Sequence, residues 1–455
     1  MSEIMVGILG LLTIIGIVLT LFKTKTVPSI AFIVFPLLLG LVLVLGGYYS
    51  FSNIGTLIKG GFNSTAPTAA LFVFSVLYFG VMTDAGMFDV IINGLMKLVK
   101  DNVVGVCVLT SIIALIGHLD GGGASTFCIV VPALLPVYKR LHMRPTTLLR
   151  CAVIAMGVFN LFPWAGPTMR AATVIGMQSG DLWKTIVPIQ IVGVVCALAV
   201  GVISGILEKR RIASLNGAYD VWLNDTDNTE SVNSEKNELA RPKLFLFNIL
   251  LTVGVIAMLI WGKFPDYVPF MIGFSVALLV NYTPIKLQKK VINKHAGPAL
   301  MMCSTLMGAA VLMGMFVQTV TVGGGIQIPS VITCMSDLIV RVLPEFLGRH
   351  IGVVIGILSV PLALCFDTDS YFYGMLPVII GIGNSFGVNA LPIAVAMVVC
   401  RNCATFISPM VPATLLGVGL AEVDIKDHIK HSFFWVWGVS IVCMIFAMLF
   451  GIMPF

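Results

Sequence analysis

Charge is what this 455-residue chain has least of: Asp, Glu, Lys and Arg make up only 11%, while 58% of residues are hydrophobic. An ordinary soluble domain is roughly a quarter charged, so water is not the main solvent and a soluble catalytic domain is excluded. Zinc-binding spacings are missing too. The ten cysteines nearly all lie in apolar runs, the one CxxC (Cys400, Cys403) has no second pair, and no HExxH occurs. The cysteines therefore read as small buried hydrophobes. The first apolar stretch, residues 4–22, has no basic leader and no small-residue cleavage pattern, and is expected to be a retained helix. The net charge of +6 sits in short loops between apolar runs, where it orients a membrane protein, so nucleic acid is not expected as a partner.

What the chain has in abundance is apolar stretches long enough to cross about 30 Å of hydrocarbon. Crossings are expected near 4–22, 28–47, 67–96, 145–178, 183–207, 244–262, 267–283, 298–340, 388–421 and 432–453. The basic clusters at Lys23 and Lys25, from Lys97 and Lys100 to Arg150, and at 208–243, 286–294 and 426–430 are assigned to the cytoplasm. Both termini then lie outside, in a multi-pass protein of the cell (inner) membrane whose principal partner is the lipid bilayer. Residues 208–243 carry the polar run NDTDNTESVNSEKNE and read as a cytoplasmic linker between 1–207 and 244–455.

An odd number of crossings per half turns the second half upside down relative to the first. Ser125-x-Phe127 with Pro132 recurs 245 residues later as Ser370-x-Phe372 with Pro377, and Pro163 and Pro167 are matched by Pro409 and Pro412. In each half a pair of short apolar arms surrounds a polar tip, at about 103–140 and 350–384, followed by a proline-interrupted helix at 145–178 and 388–421. The expected fold class is an all-α membrane protein of two inverted repeats of five transmembrane helices, each with a re-entrant helical hairpin and a broken helix.

Irregular backbone at membrane depth survives only beside protein or a water-filled cavity, so both tips mark a cavity. In the first, HLDGGGAST (118–126), Gly122 and Gly123 let backbone amides approach an anion, and Ser125 and Thr126 add hydroxyls at the start of the returning arm. The second tip, CFDTDSY (365–371), supplies Ser370. The broken helices, NLFPWAGPT (160–168) and TFISPMVPAT (405–414), with the residues next to them, supply Asn160, Arg170, Arg401, Asn402 and Ser408. An intramembrane Arg can grip a carboxylate with two parallel hydrogen bonds. Asp84, Asp120, Asp367 and Asp369 also fall in membrane regions, and an aspartate there can ligate a cation, take up a proton, or brace an arginine. Asp120, Asp367 and Asp369 are assigned to a metal ion or proton.

The runs YFGVMTDAGMFD (78–89), HLDGGGASTF followed by PALLPVYKRL (118–141), and the second tip with GMLPV (374–378) resemble the metal-citrate:proton symporter family of the ion transporter superfamily. The resemblance covers essentially the whole chain. It implies a transporter rather than an enzyme, with no tightly bound cofactor. The implied activity is uptake of citrate complexed with Mg2+ or Ca2+, coupled to protons, by an elevator-like movement in a homodimer. Sodium-coupled relatives in the wider superfamily carry Ser-Asn-Thr at both tips, whereas GAST and TDSY here have no Asn, which favours metal or proton handling by the aspartates. A proton- or sodium-coupled carrier of free di- or tricarboxylates is the alternative. A membrane-embedded enzyme using His118 and Asp120 as an acid/base pair is the competing class, disfavoured because no second histidine is expected in the membrane core.

Overall fold

A computed structural model describes residues 1–24, 26–97, 102–215, 238–322 and 326–453. Lys25, Lys100 and residues 216–237 of the expected linker lie outside the described residues. The chain is helical almost throughout, and eight described helices are long and apolar enough to cross a membrane.

Four helices come first: α1 (Glu3–Thr24), α2 (Pro28–Leu45), α3 (Phe51–Asp84) and α4 (Met87–Met96). The crossing expected at 67–96 is thus two helices. The start of α3 is hidden in the sequence by polar residues such as Asn53, Thr56 and Lys59, and is set by Ser50, whose side chain accepts the Asn53 amide at 3.2 Å. Its end is set by Gly86, which turns the chain at φ +80°.

The crossing expected at 298–340 is likewise divided. It comprises α12 (Ile285–Val317), an antiparallel pair β1 (Val320–Val322) and β2 (Ile326–Ile328), and α13 (Val331–Val340), with Val320 opposite Ile328. Apolar β-branched residues around a glycine run read as continuous hydrophobicity but pair as a small hairpin. Helix α3 is held against α12 by very close backbone approach. A Cβ on Gly61 would lie 1.9 Å from the Ala310 carbonyl oxygen, and one on Gly314 would lie 2.5 Å from that of Leu57. This is the small-residue packing that membrane helices use where lipid provides no hydrophobic drive.

Two sets of short helices occupy the stretches read as hairpins. The arms of the first are α5 (Val103–Gly117) and α6 (Gly123–Arg140), which pack on each other. The second is made by α14 (Glu345–Arg349), α15 (Ile351–Cys365), a π-helical turn at Ser370–Met375, and α16 (Leu376–Ser385). Each is followed by a broken helix: α7 (Pro145–Phe159) with α8 (Gly166–Val174), and α17 (Ala390–Cys403) with α18 (Pro412–Leu420). Pro167 and Pro412 sit in the first turns of the second pieces, where a missing amide costs nothing. Two long helices close the halves, α9 (Ser179–Ser214) and α19 (Ile425–Leu449), and α10 (Phe245–Trp261) and α11 (Tyr267–Asn281) open the second. Helix α9 runs on to Ser214, beyond the residue-208 start expected for the linker.

Packing divides these elements into two bundles. Helices α1 to α4 pack chiefly among themselves and with α10 to α13, whereas α5 to α9 pack with α15 to α19. The seam between them is narrow and runs through α13 on α16, α3 on α8 and on the first tip, α4 on α5, α1 and α12 on the π-helical turn, and α10 on α9. Helices α7 and α17 are buried nearly all round, Leu148 to Val158 and Ile393 to Cys403 without a break, which places them at the centre of their bundle. Leu12, Leu38, Ile191, Leu250 and Leu279 present large exposed apolar side chains on the lipid-facing rim.

Candidate functional site

At the first tip, Gly121 adopts φ +70° and lets the chain reverse between α5 and α6. Asp120 then closes on its own tip: Oδ1 accepts the Gly122 amide at 2.7 Å, and Oδ2 accepts the Ser125 hydroxyl. Ser125 and Thr126 sit back on the Gly122 carbonyl, each at 2.8 Å. His118 is fully buried, with Nδ1 2.8 Å from the Thr126 hydroxyl oxygen. At the second tip Asp367 behaves similarly, its Oδ2 accepting the amides of Asp369 at 3.1 Å and Ser370 at 3.4 Å.

Each break in a broken helix supports the hairpin of its own half. Trp164 Nε1 donates to the Leu119 carbonyl at 2.8 Å, and Ser408 donates to the carbonyl of Ala363. Each hairpin also meets the broken helix of the other half. Gly123 lies against Phe406, whose ring stands edge-on to His118 at 5.1 Å and to Phe127 at 6.0 Å. Arg170, on α8, donates from Nε to Asp369 Oδ1 at 2.6 Å. The two breaks meet directly, with Asn402 Nδ2 donating to the Asn160 carbonyl at 3.1 Å and Asn160 Nδ2 to the Thr405 hydroxyl at 3.4 Å.

Among the described residues Arg401 is the largest fully buried side chain. Its Nη1 donates to the Thr405 hydroxyl at 3.0 Å, and Nη2 to the Thr368 hydroxyl at 3.2 Å and the Phe366 carbonyl at 3.5 Å, so it ties α17 to the second tip. Its guanidinium lies over the Tyr371 ring at 5.7 Å. Among the described residues Arg401 makes no ion pair of its own, and its Nε, Asn402 Oδ1 and Ser370 Oγ are buried without hydrogen-bond partners. Buried polar groups are nearly always paired, so such a concentration at the second break and its tip is chemistry arranged for a polar guest.

The contacts therefore link Arg170 with Asp369, Asn160 with Asn402, and Arg401 with the tip that carries Ser370, while Asp120 with Gly122, Ser125 and Thr126 forms the first tip. The three candidate aspartates are each occupied, two by amides of their own tips and one by Arg170. No group of three or more His, Cys, Asp or Glu side chains gathers into a metal site among the described residues. Thr368, Thr405 and Phe406 carry no signal in the sequence, because Thr and Phe are common in membrane helices; Thr368 acts through Arg401 of its own half, and Thr405 and Phe406 through contacts to the other half. Asp84 is buried, but beside α12: Lys294 and His295 both bond it, the latter at 3.0 Å. Contrary to the expectation of one core histidine, His428 is fully buried on α19 and bonds the Phe406 carbonyl at 3.1 Å. The letters of a nucleophile elbow occur at 383–387, yet Ser385 ends α16, exposed, with its hydroxyl on the Gly381 carbonyl.

Gly123 offers a direct check on the tip. A Cβ there would lie 2.3 Å from the Phe406 ring and 3.0 Å from Ala413 Cβ. The ring is wedged between His118 and Phe127 and has no room to yield, so Gly123→Ala should cost about 1–3 kcal/mol of packing energy and displace the tip. The expected result is a membrane-inserted protein with uptake reduced roughly tenfold or more, partly restored by Phe406→Leu. Unchanged uptake would show that the tip tolerates displacement.

Comparison with known proteins adds the following. A family model described as Citrate transporter matches residues 12–400. A "Citrate transporter" of Bacillus subtilis (strain 168) is 32% identical over 451 residues, covering 99% of this chain and 100% of that protein. A "Mg(2+)/citrate complex secondary transporter" of the same organism is 32% identical over 447 residues, 98% of this chain and 99% of that protein. Among solved structures, the YdaH transporter of Alcanivorax borkumensis superposes with a TM-score of 0.57 over 88% of this chain and 89% of its own, at 15% identity.

Proposed function

The chain belongs to the citrate transporter family, and from that premise we propose that it is a secondary transporter importing citrate complexed with a divalent cation, Mg2+ or Ca2+, together with protons. The observation that carries this reading is Arg401, a guanidinium buried at a helix break with no ion pair and with an unpartnered Nε. Such a group favours an arriving carboxylate strongly. A citrate trianion with one divalent cation keeps a single negative charge, which suits a site holding aspartates as well as arginines. The relative described as a Mg(2+)/citrate complex secondary transporter supports the metal in the cargo.

The two halves carry the same order of elements and are read as inverted repeats, with the tips as the two sides of one central site. The narrow seam between the bundles supports an elevator-type movement of the bundle holding both tips against the other, in a homodimer built on the latter. A carrier of free di- or tricarboxylates is the second reading, favoured by the engagement of Asp369 with Arg170.

Radiolabelled citrate uptake into proteoliposomes separates these readings. Uptake is expected to require Mg2+ or Ca2+ and to be driven by an inward proton gradient but not by a sodium gradient. Full uptake in the presence of a chelator would overturn the metal-complex reading, and sodium-driven uptake would overturn the proton coupling.

A further inference from the structure

We infer that the hydroxyl of Tyr373 is a substrate-binding group, bonding an oxygen of the bound carboxylate beside the Arg170–Asp369 pair. The inference rests on the reading of the chain as a carboxylate carrier and adds to it a residue that no motif marks.

Among the described residues five tyrosines are fully buried: Tyr78, Tyr138, Tyr282, Tyr371 and Tyr373. Four of their hydroxyls have partners. Tyr78 meets the Thr252 hydroxyl at 2.7 Å, Tyr138 that of Thr110 at 2.9 Å and Tyr371 that of Ser359 at 2.6 Å, and Tyr282 donates to the Leu239 carbonyl at 2.8 Å. The Tyr373 hydroxyl alone among these five has none; the other buried tyrosine hydroxyl without a partner, that of Tyr49, belongs to a ring packed on Tyr48 and not to a hairpin tip.

Packing does not explain the exception. The ring stands edge-on to Phe32 of α2 at 6.1 Å with an interplanar angle of 80°, a contact that a phenylalanine would make equally well. Phe would also remove the penalty of burying an unpaired hydroxyl, which at membrane depth cannot be relieved by bulk water. A hydroxyl retained under those conditions is matched to a partner that arrives.

The surroundings say what that partner is. Tyr373 lies on the π-helical turn Ser370–Met375, about one turn on from Asp369, which is bonded to Arg170. The Ser370 hydroxyl, on the same turn, is buried and unpartnered as well. Two unpaired hydroxyls on the turn that follows Asp369, itself bonded to Arg170, offer donors to an oxyanion: the arginine supplies charge, and each O–H supplies a hydrogen. Single π turns inside helices recur at functional sites because they turn side chains off the regular helical face. Since the Tyr373 ring packs on Phe32 of α2, the group also sits where the two bundles meet.

The test is Tyr373→Phe in the full-length protein, with Tyr138→Phe as the comparison variant. For Tyr373→Phe, the KM for citrate in the presence of Mg2+ is expected to rise about tenfold, as loss of one hydrogen bond to a charged group requires. Vmax should stay within about twofold, the ligand-free Tm should be unchanged or higher, and the rise in Tm produced by adding citrate with Mg2+ should shrink. For Tyr138→Phe, Tm should fall while KM holds. A KM for Tyr373→Phe within about twofold of the parent, or a fall in its ligand-free Tm like that of Tyr138→Phe, would overturn the assignment. If the parent transports a different carboxylate, the citrate reading fails and Tyr373 is judged on that anion by the same measures. If no carboxylate is transported or stabilises the parent, both fall.

Discussion

Arg401→Lys is expected to lower the apparent affinity for citrate by about 100-fold while leaving the protein folded in the membrane. Arg401 is fully buried and spends its Nη atoms on Thr405, Thr368 and Phe366, all neutral groups. Lysine keeps the charge but loses the planar fork, so it can hold the tip or an incoming carboxylate and not both. Two charge-assisted hydrogen bonds at about 1.5 kcal/mol each come to roughly two orders of magnitude in affinity. Initial uptake rates against citrate concentration, normalised to inserted protein, measure this directly. An unchanged KM would make Arg401 a brace between α17 and the second tip and nothing more.

The second large effect concerns Arg170 and Asp369, paired at 2.6 Å with side chains only 6% and 14% exposed. Removing one partner of a buried pair leaves the other uncompensated, at about 3–5 kcal/mol. Arg170→Ala should therefore sharply reduce the yield of stable protein, whereas Arg170→Met combined with Asp369→Leu should recover much of the stability, because a well-packed apolar pair can replace a buried ion pair. Uptake is the decisive readout. If the pair belongs to the substrate site, the double variant is stable and inactive; if it only braces α8 against the second tip, the double variant transports. Thermal stability in detergent and uptake in proteoliposomes, measured on the same preparations, separate the two outcomes.

The pair also changes what a single acidic substitution means. From sequence, an aspartate among amide-rich glycines calls for a cation, since like charges would otherwise meet in an anion site. In the structure Asp120 takes the Gly122 amide and the Ser125 hydroxyl for itself, and Asp367 takes two amides of its tip. Both carboxylates thus shape the tips, and a cation would bind to them only by adding to or displacing those bonds. Metal dependence of uptake in Asp120→Asn has to be compared with its effect on tip stability before it is credited to ligation.

Sequence by itself determined the solvent of this protein, and it marks in each half a polar tip between two short apolar arms and a pair of prolines after it. These are local properties: hydropathy over about twenty residues, a glycine run between two short apolar arms, and a proline that removes a backbone donor all act within a turn or two of where they stand. The tertiary structure decided the rest. Gly61 and Gly314 let the backbone of α3 lie on α12, a closeness that neither helix's own sequence announces. The apolar run after Val317 becomes a β-hairpin, though its composition alone reads as more helix. Arg170 meets Asp369 across 199 residues, Asn402 meets Asn160 across 242, and Asp84 meets His295 across 211. A pairing of that span leaves no periodicity and no neighbouring signal, because each partner is selected by a surface that exists only once the helices have packed. Charge buried in a membrane could be recognised residue by residue; which charge answers which was decided by the fold.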